Sequence, residues 1–123
     1  MKILDNQLDK TSLAKLGEEA CRLLIARDFQ GLADKFGYAL AYDQDEASAI
    51  AADFERSLSG RSFTSATVES VKVQNFKPNS TGLLLVVACD LVFDTGARVL
   101  VELIVAENGE NKWLYLEEVS QAT

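Results

Sequence analysis

The sequence predicts an α+β fold in which three N-terminal helices precede an antiparallel meander of four strands. Three observations predict it. Apolar residues recur at helical spacing before Gly60 and at a spacing of two after it. Leu83 to Phe93 is a run in which only Asp90 is polar. Short turn signals separate the later segments, and no linker, repeat or low-complexity stretch divides the chain, so residues 1–123 are expected to form one domain. Helices followed by a block of strands is the α+β pattern.

The first helix is expected from about Thr11 to Ala26. Leu13, Leu16, Ala20, Leu23 and Leu24 share one side of it, and Lys15, Glu18, Glu19 and Arg22 the other. Asp28 reads as the N-cap of a second, short helix, Phe29 to Phe36, which Gly37 stops. Tyr38 to Tyr42 is apolar and aromatic, which suits a brief strand or an ordered loop. Asp43 and Glu46 make a capping-box pattern for a third helix, whose buried face carries Ala47, Ile50, Ala51, Phe54 and Leu58 before Gly60 ends it.

Beyond Gly60, Ala66 and Val68 have one parity and Val71 and Val73 the other, which predicts a bulge near Glu69-Ser70. A turn at Lys77 to Gly82 holds the only proline. Leu83 to Phe93 follows as a strand too apolar to be solvated on either face. Asp94-Thr95-Gly96 turns the chain into a strand from Arg98 to Ala106. Asn108-Gly109-Glu110-Asn111 is a hairpin signal leading to a last strand, Lys112 to Val119.

Composition narrows the function. Nineteen acidic against twelve basic residues give a net charge of −7, the opposite of the basic footprint that nucleic acid or an anionic membrane requires. The first residues lack the apolar run of a signal peptide, so a cytoplasmic location is expected. Cys21 and Cys89 lack metal or redox spacing and read as small buried hydrophobes, with a disulfide or reactive thiol as the alternative. The chain has no histidine, which removes zinc sites and Ser-His or Cys-His pairs in their usual forms. Asp43-Gln44-Asp45-Glu46 lacks the glycine turn and ligand ladder of a calcium loop, and the glycines form no phosphate cradle. No metal and no cofactor are expected.

The second helix with its approach, Leu-Leu-Ile-Ala-Arg-Asp-Phe-Gln-Gly-Leu-Ala-Asp-Lys-Phe (Leu23 to Phe36), together with the element order, resembles the nuclear transport factor 2-like superfamily over about Thr11 to Ser120. The resemblance implies a cystatin-like cone: a curved sheet wrapped round the three helices on its concave face, often dimeric through the outer face. Its ketosteroid isomerase branch would place a base near Asp43, or Asp45. The tyrosine that branch carries on the first helix has no counterpart, since no tyrosine precedes Tyr38. The protonated aspartate that branch carries on a strand inside its cavity has no counterpart either, since the presumed inner faces of Leu83 to Phe93 and Val99 to Val105 carry no acid.

Two binding sites remain as expectations. Phe36, Tyr38, Tyr42, Phe54, Phe63, Phe93, Trp113 and Tyr115 would line an apolar pocket for a small molecule, or else fill the core. If Leu85, Val87, Val101 and Leu103 face the helices, Leu84, Val86, Leu100, Ile104, Leu114 and Leu116 form an apolar outer face, interrupted by Asp90, Arg98, Glu102 and Glu118. Such a patch is larger than a soluble monomer usually carries, which points to a homodimer. The expected function is a non-catalytic binding or accessory module. The alternative is a small isomerase or dehydratase-like enzyme with Asp43 as base.

Overall fold

The computed structural model describes residues 1–122. Its elements run β1 (Lys2–Ile3), α1 (Lys10–Ile25), α2 (Phe29–Phe36), α3 (Glu46–Ser57), β2 (Ala66–Asn75), β3 (Leu83–Phe93), β4 (Arg98–Asn108) and β5 (Asn111–Gln121), with 3₁₀ turns at Asp5–Gln7 and Ala39–Ala41. The three helices pack on one side of a strongly curled antiparallel sheet, a half-barrel of order β1-β5-β4-β3-β2. The α+β class and the four long strands are as expected. Of the brief strand or ordered loop expected at Tyr38 to Tyr42, the structure has the ordered turn, and the one short strand of the sheet lies elsewhere. Tyr38 makes a single bridge to Leu116 before a 3₁₀ turn, and the fifth strand is Lys2–Ile3, paired with Trp113 and Lys112.

Each helix begins where an aspartate satisfies its first free amides. Asp9 accepts from the Ser12 amide at 3.0 Å and Asp28 from the Gly31 amide at 2.9 Å. For α3 the cap is Asp45, which accepts from the Ser48 amide at 2.9 Å and its hydroxyl at 2.8 Å. That corrects the expected cap at Asp43, which is exposed in the preceding turn. Glu46 does not reach back to Asp43; it accepts from the Tyr38 amide at 2.6 Å, tying the start of α3 to the 3₁₀ segment.

The face that α1 buries comprises Leu13, Gly17, Ala20, Cys21 and Leu24, with Leu16 and Leu23 only partly covered. It is rotated toward Gly17 relative to the leucine pattern. The reason is close approach to the sheet: a Cβ on Gly17 would lie 2.8 Å from Cys89 Sγ and 3.1 Å from Val87 Cγ1. A side chain there would hold the helix off β3.

The sheet supplies the rest of the core. Leu85, Val87, Cys89, Leu91 and Phe93 of β3 face the helices with Val99, Val101, Leu103 and Val105 of β4. The register of β2 against β3 shifts between Val68 and Ser70, at the expected bulge. Two further irregularities were not expected. One sets Leu84 as an extra residue between Leu83 and Leu85. The other sets Glu117 between Leu116, opposite Leu103, and Glu118, opposite Glu102. The bulge at Glu117 inverts the parity of β5, so Leu114, Leu116 and Val119 all face inward.

Candidate functional site

The expected pocket residues do not converge on one cavity. Phe36, Tyr38, Phe54 and Phe93 are buried in the core. Phe29, Phe54, Phe63 and Phe93 make a cluster of edge-on and tilted rings with centroids 4.7 to 6.0 Å apart, spacing that suits the ring quadrupoles. The Arg27 guanidinium closes this end of the core, 5.5 Å above Phe54 and 5.3 Å above Phe63, and pairs with Glu55. Tyr42 is 82% exposed in the turn before α3, and Trp113 and Tyr115 are on the outer face of the sheet. Among the described residues, five of the best-formed surface clefts are lined by none of the eight.

A polar network that the sequence did not suggest is built round Tyr38. Its hydroxyl donates to Asp53 Oδ2 at 2.5 Å and accepts from the Val119 amide at 3.3 Å. Asp53 also receives Arg56 at 2.5 Å, and its backbone carbonyl accepts from the Ser57 hydroxyl at 2.7 Å. Burial, then the hydrogen bond to Asp53, raises the Tyr38 hydroxyl above its ordinary pKa of 10. A phenol held this way is ill placed to exchange its proton near neutrality. The network joins α3 to β5; no spacing in the sequence links Tyr38 to Asp53. Asp43, the alternative base, is exposed, and no side-chain hydrogen bond involves it among the described residues.

The outer face of the sheet remains. Of the six residues expected there, Val86, Leu100 and Ile104 lie on it, half-buried. Leu114 and Leu116 do not: both are fully buried against the helices, because of the Glu117 bulge. Leu84 sits at the β3 irregularity and packs against the core. Tyr115 and Trp113 take the places assigned to the two leucines. Val86, Ile104 and Tyr115 therefore form one cross-strand row, and Ala106 pairs with Trp113 beside it. Trp113 is 42% exposed.

An acidic strip crosses the same face. Glu102 lies opposite Glu118 in the β4–β5 ladder, and Asp90 accepts from the Ser70 hydroxyl at 2.8 Å. Desolvation, then the neighbouring Glu118, pushes the Glu102 carboxyl above its ordinary range. The face is thus an apolar row flanking a like-charge pair, and among the described residues no element is packed over it.

Fold and site together define an α+β half-barrel with a bare outer face. No protein-family model, curated protein or solved structure matches the chain. Among the described residues no helix is long and apolar enough to cross a membrane.

Proposed function

We propose that this chain is a non-catalytic binding or accessory module that works as a homodimer through the outer face of its sheet. One observation carries the reading: Val86, Ile104 and Tyr115 line up across three strands with the Ala106–Trp113 pair beside them, and Leu100 lies beyond the Glu102–Glu118 pair, on the side away from the helices. Four strands of ten or eleven residues make a face of roughly 700 Å². A standard interface takes about 800 Å² from each partner, so a second copy of this face is a matching cover. Each Å² of apolar surface it removes from water contributes about 25 cal/mol.

The same reading places the chain in the nuclear transport factor 2-like superfamily, supported by three helices followed by a curled antiparallel sheet. It also places it in the cytoplasm. Cys21 and Cys89 are both free thiols inside the core, the form that a reducing compartment keeps.

Light scattering tests the dimer. The wild-type chain should show twice its 13.5 kDa mass at micromolar concentration, and Leu100→Asp should return it to one. A wild-type mass of one chain, unchanged by that substitution, would refute the reading.

A further inference from the structure

The two edges of the sheet are treated differently. At one, β1 pairs with Trp113 and Lys112, the Met1 carbonyl accepts from the Leu114 amide at 2.8 Å, and Tyr38 bridges Leu116. At the other, β2 is the last strand, and no backbone bond joins Ala66–Asn75 to anything but β3 among the described residues. Every second residue of β2 therefore directs its amide and carbonyl to a side where no strand lies.

That side is not flat. Val71, Lys72, Val73 and Gln74 line a cleft of about 530 Å³ with Lys10 and Ala14 of α1. Successive strand side chains point to opposite faces, so four in a row can border one space only where it runs along the strand's edge. Val71, Val73 and Ala14 are half-buried and give it an apolar floor, and Lys10 and Lys72 stand exposed at its rim. Four residues of edge span about 13 Å, enough for a short added strand.

We propose that the edge of β2 at Val71–Gln74 is a docking site for an extended acidic segment of another protein, which adds as a sixth strand and sets its carboxylates against Lys10 and Lys72. Main-chain hydrogen bonds supply the affinity in this mode, and alternate side chains supply the selectivity. Charge decides the occupant. The chain carries a net −7, yet the two charged side chains that line this cleft are both lysines, and among the described residues neither belongs to an ion pair. A second copy fits poorly: antiparallel pairing of two β2 edges about this stretch would gather the lysines of both chains. The bulge between Val68 and Ser70 also ends the regular edge just before the cleft, which blunts self-pairing.

The test uses the full chain and two synthetic probes: an acetylated, amidated heptapeptide Thr-Val-Glu-Val-Glu-Val-Thr, and its counterpart with both glutamates replaced by lysine. Amide exchange of Val71–Gln74 should slow in the acidic peptide, and that peptide should bind at least about tenfold tighter than the basic one, the ratio expected for close opposite charges. The Lys10→Glu, Lys72→Glu double variant, with unchanged circular dichroism, should invert the preference. Equal binding of the two peptides, protection at other amides only, or no protection at millimolar peptide would overturn the proposal. Concentration-dependent protection of Val71–Gln74 in the chain alone would also overturn it, with a second copy as the occupant.

Discussion

Glu102 faces Glu118 directly across the β4–β5 ladder, and the carboxyl of Glu102 is raised by desolvation first and by Glu118 second. Like charges directly opposite one another in a sheet destabilise it. Because the folded state holds the Glu102 proton more tightly than the unfolded state does, the penalty is absent below the ordinary glutamate value of 4.5 and grows as pH rises through the raised value. Glu102→Gln should therefore stabilise the chain at pH 7 by up to about 1 kcal/mol and do nothing near pH 4, as read by urea denaturation at the two pH values. A destabilised glutamine variant at neutral pH would mean that the pair holds the strands together instead.

The close approach of α1 to β3 makes a second test. Gly17→Ala drives a methyl to 2.8 Å from Cys89 Sγ and should destabilise the fold by about 1–3 kcal/mol, the range for an overpacked core. Cys89→Ala vacates the clashing atom. The double variant should recover part of that loss, a coupling that denaturant melts of the four proteins would measure. Strict additivity would show that the helix shifts for another reason.

Tyr38→Phe removes the hydroxyl that serves both Asp53 and the Val119 amide. Leaving those groups without it should cost about 1–3 kcal/mol. Amide exchange at Val119 should quicken more than at Val101 on the neighbouring strand, because only Val119 loses a partner.

Asp45 and Asp43 separate by melting temperature. Asp45→Ala removes the α3 cap and should lower it, while Asp43→Ala should leave it unchanged. The Ser48 amide and hydroxyl hold the Asp45 carboxyl below its ordinary value of 3.8. Its contribution is thus present above that value and is lost as pH falls through the depressed one. The difference between the two variants should shrink in acid.

The helices and strands were legible because their signals are local. Asp28 and Gly37 bracket α2 in the sequence as they do in the structure, and the parity change between Val68 and Val71 marked the β2 bulge. What the sequence hid was relational. Nothing in Lys112 to Val119 announces that Glu117 is an extra residue, so the greasy parity of Leu114 and Leu116 and the aromatic parity of Trp113 and Tyr115 were interchangeable until the register with β4 was known. Composition likewise suggests one aromatic pocket, although Phe54, Phe63 and Phe93 pack on one another while Tyr42 stands in solvent. Gly17, which sets how near α1 comes to β3, has no side chain for a periodicity to count.

The outer face decides the account, and sedimentation equilibrium on the wild type and Ile104→Asp at pH 7 reads it most directly. Ile104 sits at the middle of the Val86–Ile104–Tyr115 row and outside the core, so the aspartate should leave the fold intact and weaken self-association by at least about a hundredfold, a hot-spot-sized loss. A wild-type chain that sediments as a dimer and an Ile104→Asp chain that sediments as a monomer are the result predicted. Two monomers, or two dimers of equal strength, would contradict it.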